Sequence, residues 1–287
     1  MGTVGLAVYG YLEGTPLDVV NAVTRNDIAS VKAAIARDPQ AVHTKVYPQG
    51  YGSASQQAAY RATSGRDAWG GRYLIHQALG LVDPIPMLEL LAGSGADMSV
   101  RLHGQTLLHL AAYKGDAEVV SWLLARGADV NVTNTCEDCP ERGQTPLFDA
   151  QNFSDQELTA LLIARGANAH ARALNGQTAL HASAVIGSVG GAFELCRHGT
   201  NPTVKDVEGR TAQDLALAAD AAGRDLARRT LLYGAGEQAD WLKPGGGCET
   251  LAARAAASGS PVSEEDAGVV FRIYACARGA ASACGAQ

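Results

Sequence analysis

The sequence has no apolar run that approaches the roughly 20 residues needed to cross a bilayer, so no transmembrane helix is expected. Its N-terminus, Met-Gly-Thr-Val-Gly-Leu-Ala-Val-Tyr-Gly, also lacks the basic region and the cleavage site of a secretory leader. These two absences favour a cytoplasmic protein. A mature exported chain restarted with an added Met would begin in the same way, so export is the alternative.

Charge of either sign is scarce, since charged residues make up 18% of the 287 positions and the net charge is −6. So small an acidic excess implies at most a weak preference for basic partners, and it argues against nucleic-acid binding. The six cysteines are scattered and lack the spacing of a disulfide framework. We expect them to be reduced thiols, and we expect Cys196, beside Leu195 in an apolar stripe, to be a buried free thiol.

Recognised catalytic signatures are also missing. The chain contains no Gly-x-Ser-x-Gly, no phosphate-binding loop and no His-Glu-x-x-His, and its acidic residues form no paired cluster for acid–base chemistry. The sequence therefore predicts a protein that is not an enzyme and that carries no cofactor and no resident metal.

The sequence does contain an internal repeat. Glycines at positions 71, 104, 143, 176 and 209 each precede a predicted helix start, and they lie 33, 39, 33 and 33 residues apart. Each unit encodes two short helices that are apolar on one face only, as at residues 104–131, where Gly115 and Gly127 are placed to end them. Such helices cannot bury their apolar faces alone, so the units must stack on one another.

The period and the motif at each helix start resemble the ankyrin repeat. The motif reads Thr-Leu-Leu-His at 106–109, Thr-Pro-Leu-Phe at 145–148 and Thr-Ala-Leu-His at 178–181, and Gly-Ala-Asp or Gly-Ala-Asn recurs at 95–97, 127–129 and 166–168. The resemblance covers about six repeats in residues 17–236. It implies an all-α solenoid in which β-hairpin fingers and first helices line a concave face.

The rest of the chain is arranged around this array. Residues 1–16 form an N-terminal segment, and residues 237–287 contain a Pro-Gly-Gly-Gly linker followed by two predicted helices. These helices run from Glu249 to Ala257 and from Ser263 to Ala277, with Ser263 as the N-cap of the second. Because a repeat stack needs a cap at its open end, we expect the pair to be a C-terminal helical cap.

The first of two long fingers holds an insertion at about 47–69 that is rich in aromatic residues, namely Tyr47, Tyr51, Tyr60 and Trp69. Long irregular loops are usually either functional or disordered. Aromatic side chains on a polar segment favour a binding role. A loop packed over the first repeat as a lid is the equally weighted alternative.

The second long finger, at about 133–142, places Cys136 and Cys139 in the Cys-x-x-Cys spacing of half a zinc site. His103 and His170 lie on the two neighbouring fingers, where they would complete such a site. Free thiols or a local disulfide are the favoured alternatives, so we expect no stoichiometric metal.

Three histidines, His76, His109 and His181, occupy the same position in their repeats. Histidine is the usual acid–base residue of enzymes, which makes a catalytic role the first alternative. The resemblance implies a structural role instead, in which each ring ties neighbouring turns together by hydrogen bonds. Their recurrence with the repeat favours the structural interpretation.

The resemblance also implies where a partner binds: at finger residues flanking the repeat glycine and at the two positions before the glycine that ends a first helix. An apolar ladder of Leu81, Tyr113, Phe153 and Ile186 then crosses the concave face and marks an interaction site, unless the aromatic loop covers it. We expect the loop, the Cys finger and this ladder to form one continuous site. The expected partner-binding residues are Tyr47, Tyr51, Tyr60, Trp69, Leu81, His103, Gln105, Tyr113, Lys114, Arg142, Gln144, Asn152, Phe153, Gln177, Val185 and Ile186.

The expected function is that of a monomeric, non-enzymatic module that binds another protein, with neither nucleic acid nor membrane as a partner. Arg outnumbers Lys, and Ala and Gly are abundant, which is typical of a GC-rich bacterial gene. Since bacterial modules of this kind often inhibit a neighbouring enzyme or toxin, the specific expectation is an inhibitor or immunity protein. The alternative is an enzyme, or a small-molecule or metal-binding protein, that uses the aromatic loop and the Cys136/Cys139 finger.

Overall fold

The computed structural model describes residues 17–43, 45–46, 72–137, 139–153, 156–222, 229, 231–232 and 241–263. Its helices are α1 (Leu17–Thr24), α2 (Ile28–Arg37), α3 (Leu74–Ala78), α4 (Ile85–Gly93), α5 (Leu107–Tyr113), α6 (Ala117–Ala125), α7 (Pro146–Asp149), α8 (Gln156–Ala164), α9 (Ala179–Ile186), α10 (Val189–Arg197), α11 (Ala212–Ala222) and α12 (Gly247–Ser258). The other elements are two 3₁₀ helices, Pro39–His43 and Ala150–Phe153, and two strands, β1 (Lys45–Val46) and β2 (Arg72–Tyr73). No helix in these ranges is long and apolar enough to cross a bilayer. The chain divides into two compact units, Met1–Leu107 and Leu108–Gln287.

Short polar residues and left-handed turns determine where the helices begin and end. The Asp27 carboxylate caps α2 by accepting a hydrogen bond from the N–H of Ser30 at 3.0 Å, and Asp116 caps α6 in the same way through Val119 at 3.1 Å. After α1, Asn26 takes a φ of 58°, and Gly115 takes 72° at the equivalent place after α5. Asn tolerates this conformation better than most other side chains do, so Asn26 takes the place that glycine holds after α5.

Two helix pairs stack in the first unit. α1 packs against α2 and α3 against α4, while α1 also contacts α3 and α2 contacts α4. First helices thus form one layer and second helices the other, and Val23 and Val31 are fully buried in the core. Residues 17–39 therefore form a repeat, as the sequence predicts.

The strand pair holds the two ends of the first insertion together. β1 and β2 run antiparallel, with Lys45 opposite Tyr73 and Val46 opposite Arg72, and residues 47–71 lie between them in sequence. Because the strands hold these ends together, the helix pairs on either side can stack despite the extra residues between them. The predicted binding residues of the insertion lie outside the described residues, so its role as loop or lid stays a prediction. They are Tyr47, Tyr51, Tyr60 and Trp69.

The second unit continues the two-layer arrangement. α7 and the 3₁₀ helix after it pack against α8, and α9 packs against α10. In the first-helix layer α9 contacts both α7 and α11, and in the second-helix layer α10 contacts both α8 and α12. The predicted all-α architecture of stacked helix–turn–helix repeats is confirmed.

The first helix of the fourth repeat is less regular than the sequence predicts. Its α-helical part, α7, ends at Asp149, and the chain continues as a 3₁₀ helix from Ala150. There the side-chain amide of Gln151 donates to the carbonyl of Leu147 at 2.9 Å. That carbonyl is the acceptor that the backbone N–H of residue 151 would use in an α-helix. Gln151 is fully buried, so its side chain replaces a helical hydrogen bond inside the core.

The C-terminal segment packs onto the fifth repeat. α12 matches the first of the two predicted cap helices, and it contacts α10, the second helix of that repeat. Just before α12, the ring of Trp241 meets Phe193 of α10 nearly edge-on, with 6.2 Å between the ring centroids. The second predicted helix lies beyond Ser263 and outside the described residues. Closure of the array by the pair stays a prediction.

Cysteine pairing contradicts the expectation of reduced thiols. Cys196 in α10 is bonded to Cys248 in α12, with their Cα atoms 5.0 Å apart and both residues fully buried. The prediction of a free buried thiol at Cys196 was wrong, because a partner 52 positions later leaves no spacing signature in the sequence. Cys136 and Cys139 are also joined, so the structure favours the local disulfide at that finger.

Candidate functional site

The first helices of the second unit carry exposed side chains at their C-terminal ends. Tyr113 on α5 is 52% exposed and Val185 on α9 is 41% exposed, and Asn152 occupies the same repeat position between them in sequence. The Nε2 atom of His109 lies 3.2 Å from the carbonyl oxygen of Gln144, which links α5 to the residues that precede α7. Asn152 lies on the 3₁₀ helix Ala150–Phe153, which contacts α9, the helix that carries Val185. We call Tyr113, Asn152 and Val185 the first-helix row.

Backbone hydrogen bonds join the fingers of this unit to one another. The N–H of Leu174 donates to the carbonyl of Arg142 at 3.1 Å, and the N–H of Val207 donates to the carbonyl of Asn175 at 2.9 Å. Gly143 has a φ of 83°, and a Cβ there would lie 2.9 Å from the Leu174 nitrogen, so glycine is needed for this approach. The fingers are therefore fixed relative to one another before any partner arrives.

Two exposed apolar side chains stand on these joined fingers. Leu174 is 67% exposed and Val207 is 72% exposed, and each comes two residues before a finger glycine. We call Leu174 and Val207 the finger pair. They are not among the predicted binding residues, although their separation of 33 residues (207−174) equals the repeat period and is a signal in the sequence. Leu217 on α11, 41% exposed, was missed as well, and its position has no exposed counterpart in the preceding repeat, where Ala184 is buried.

A buried polar network lies beneath the first-helix row. The side-chain oxygen of Gln151 accepts a hydrogen bond from the hydroxyl of Ser183 at 2.7 Å, and its amide reaches the Thr159 hydroxyl at 3.4 Å. Gly191 of α10 faces this amide, because a Cβ on Gly191 would overlap the Gln151 oxygen. Burial and the nearby Glu141 raise the pKa of the Asp149 carboxyl well above its usual value. The network joins the first-helix and second-helix layers and leaves no open space for a ligand beside Gly191.

The repeat histidines are built into the turns. Nδ1 of His181 accepts a hydrogen bond from the N–H of Thr178 at 3.1 Å, so Nε2 carries the proton and donates to the carbonyl of Arg210 at 3.3 Å. Burial lowers the pKa of His181, and burial together with Arg72 lowers the pKa of His76 to about 4. His109 is fully buried and makes the bond to the following finger described above. The predicted tie between neighbouring turns is confirmed for His109 and His181.

Comparison with known proteins agrees with this geometry. The family model described as "Ankyrin repeats (3 copies)" matches residues 59–134 and 75–173. The chain contains ankyrin repeats. A mouse (Mus musculus) protein, "B-cell lymphoma 3 protein homolog", is 32% identical over 145 residues, which are 49% of this chain and 31% of that relative. The chain thus spans less than a third of that relative's length. Ankyrin repeats are modules of protein–protein interaction, so their presence indicates this general function for the chain.

The other predicted binding positions of the ankyrin repeats differ in exposure. In the first unit, His103 is exposed, whereas Leu81 and Gln105 are half-buried. In the second unit, the exposed positions are Lys114 and Arg142, and the half-buried positions are Gln144, Asn152, Gln177 and Ile186. Phe153 ends the 3₁₀ helix, and its side chain lies outside the described residues. The expected continuous site from the aromatic loop to Ile186 stays a prediction.

Replacing His109 with Ala should lower the free energy of unfolding by about 1–2 kcal/mol, because the Gln144 carbonyl loses one of its two donors, keeping only the Asn134 N–H, and a buried space opens. Denaturant unfolding of the full chain measures this change. The exposed His103 serves as the control, and His103→Ala should stay within about 0.5 kcal/mol of the wild type. A His109→Ala protein with unaltered stability and no partner binding would contradict the structural role.

The Cys finger holds no complete ligand set for a metal ion within the described residues. Cys136 and Cys139 are disulfide-bonded, so their sulfurs are not the thiolates that bind zinc. Across that part of the chain, no three His, Cys, Asp or Glu side chains form a metal-binding group. His170, one of the two histidines considered as zinc ligands, instead lines a cavity with residues of α12.

Elemental analysis of protein purified without chelator should find well below one zinc ion per chain. The physical reason is that a disulfide leaves the finger without a thiolate to coordinate zinc. Near-equimolar zinc in the wild type, lost in a Cys139→Ser variant, would contradict this prediction and would restore the metal-site alternative.

A cavity of about 290 Å³ lies at the C-terminal ends of α10 and α12. His198, which caps α10, and His170 line one side, and residues from Ala255 to Pro261 line the other. Burial and the neighbouring Arg197 lower the pKa of His198, although Glu194 lies 3.8 Å away, so its imidazole is neutral at pH 7. The lining contains no carboxylate to pair with these rings, and the volume is at the lower limit for small-molecule sites.

Proposed function

We propose that this ankyrin-repeat protein binds a protein partner through the first-helix row and the finger pair. The observation that carries the proposal is the exposure of four apolar or aromatic side chains on joined elements of one unit. They are Tyr113, Leu174, Val185 and Val207, and their exposed fractions run from 41% to 72%. Exposed apolar groups that recur on successive repeats are typical of an interaction surface, and Tyr is among the residue types that dominate binding energies.

The fixed geometry of the fingers supports this proposal. Besides the two backbone hydrogen bonds between fingers, the guanidinium of Arg172 donates to the carbonyl of Lys205 at 2.6 Å. Because these contacts exist without a partner, binding costs little ordering of the fingers. Arg142 is exposed beside this surface and would attract acidic groups at its rim. The partner that fits best presents an apolar patch edged by Asp or Glu.

The more specific proposal is a bacterial inhibitor or immunity protein that covers a functional surface of an enzyme or toxin. It is supported by analogy with the fold, by the bacterial character of the composition and by the lack of recognised catalytic signatures in the sequence. The protein itself is then not an enzyme and acts by occupying a surface of its partner.

Affinity capture with the full chain tests both levels of this proposal. The wild type and a Tyr113→Ala, Val185→Ala double variant serve as paired baits in native lysate, and mass spectrometry identifies proteins enriched only by the wild type. The purified partner is then assayed with and without the chain. Enrichment of one enzyme or toxin, and its inhibition, is the expected result. Equal capture by both baits would contradict the proposed surface, and a bound partner with unchanged activity would contradict the inhibitor role.

A further inference from the structure

The disulfide between Cys196 and Cys248 joins two elements that are far apart in sequence. It connects the second helix of the fifth repeat to the first turn of α12, across 52 positions. Both cysteines are fully buried, and α12 packs directly on α10. The bond therefore attaches the C-terminal segment to the repeat array at the point where the two helices meet.

Few apolar side chains hold α12 in place besides this bond. The helix has 12 residues, and the buried ones are Cys248, Leu251 and Ala255. Leu251 is the single large hydrophobic side chain among them, whereas fixing a helix of this length costs backbone entropy at every residue. Trp241 anchors the chain before α12, and the N–H of Val262 donates to the carbonyl of Arg197 at 3.1 Å after it. Attachment of the helix itself thus depends strongly on the disulfide.

Burial of both sulfurs couples the redox reaction to docking of α12. A thiol oxidant must reach a sulfur along a direct line of attack, and that line is closed when α12 is seated. The bond therefore forms while α12 is open, and once formed it is protected from reductants in the surrounding solution. In a cytosol buffered by glutathione, opening of α12 would keep the two cysteines reduced, because disulfides persist mainly in oxidising compartments.

We infer that the chain matures in an oxidising compartment, where a protein disulfide donor forms the Cys196–Cys248 bond and locks α12 onto α10. In the first step the thiolate of one cysteine attacks the donor disulfide, which gives a mixed disulfide and releases one donor thiol. The second cysteine then attacks the mixed disulfide and releases the other donor thiol. The two cysteines lose two electrons and two protons in total, and the donor gains them as a dithiol. This favours export over the cytoplasmic location that the sequence first indicated.

Trapping the thiols of the full-length protein in its native host tests whether the bond forms in the cell. Cells are lysed in denaturant with an alkylating agent and no reductant, and mass spectrometry then follows the peptides that contain Cys196 and Cys248. The expected result is a linked peptide pair in most of the protein. Complete alkylation of both cysteines in native cells would overturn the inference.

Trypsin cleavage after Arg254, an exposed residue of α12, tests the lock. Cleavage should be at least about tenfold faster in Cys248→Ser than in the wild type, since a disulfide typically stabilises by more than this factor. Cys139→Ser, which breaks the finger disulfide, is the matched control and should be cleaved at the wild-type rate. Wild-type protein reduced in mild denaturant and then returned to buffer gives the same comparison without a substitution. If both the serine variant and the reduced protein are cleaved after Arg254 at the wild-type rate, the bond does not lock α12.

Discussion

Replacing Gly191 with Ala should lower the free energy of unfolding by about 3 kcal/mol, although the same change in an open helix normally stabilises by about 0.5–1 kcal/mol. The new methyl group would overlap the side-chain oxygen of Gln151 and would lie 2.7 Å from the hydroxyl of Ser188. Gln151 cannot move aside cheaply, because it is fully buried and its oxygen holds the Ser183 hydroxyl. Urea unfolding of the full chain measures the loss.

Gly93 supplies the control for this prediction. It is the last residue of α4, and a Cβ at that position meets no atom within 4 Å, so Gly93→Ala should be neutral or slightly stabilising. A double variant, Gly191→Ala with Gln151→Ala, removes the overlapping side chain. The double variant should therefore lose less stability than the sum of the two single changes. A stabilised Gly191→Ala protein, or strict additivity in the double variant, would contradict the proposed contact.

Tyr113→Ala should weaken binding of the captured partner by about 1–3 kcal/mol, mostly through faster dissociation. The side chain is 52% exposed in the free chain, so its loss should shift the melting temperature little. Surface plasmon resonance with immobilised partner gives both rate constants, and calorimetry gives the melting temperature.

Glu118 provides a matched change on a second helix. It is exposed on α6, five residues after Tyr113, and Glu118→Ala should bind the partner like the wild type. Equal affinity of Tyr113→Ala and the wild type would exclude Tyr113 from the interface. A large fall in the melting temperature of Tyr113→Ala would show that its side chain supports the fold.

Much of the fold follows from local signals that recur with the repeat. The finger glycines mark backbone positions that need a positive φ, and their spacing alone predicts the stacked helix pairs. The backbone bonds of His109 and His181 follow from their place in the motif. These features depend on residues that are close in sequence or one repeat apart, so a comparison of equivalent positions in successive repeats predicts them.

Features that depend on a single unrepeated contact were not predicted. The partner of Cys196 is set by the docking of α12 on α10, which has no counterpart in the other repeats. The change from α-helix to 3₁₀ helix after α7 depends on the buried side chain of Gln151, and the presence of a glutamine does not by itself predict burial. The finger pair was not predicted for another reason: Leu174 and Val207 are not among the positions at which the resemblance implies binding, and only their apolar recurrence one repeat apart indicates them.

Hydroxyl-radical footprinting of the full chain, alone and bound to its captured partner, tests the proposed surface most directly, because oxidation reports the solvent access of each side chain. We predict strong oxidation in the free chain and protection in the complex at Tyr113, Leu174, Val185 and Val207. Side chains on second helices, such as Ile163 on α8, should be oxidised equally in both states. Protection confined to the second helices, with Tyr113 and the finger pair unchanged, would contradict the proposed binding surface.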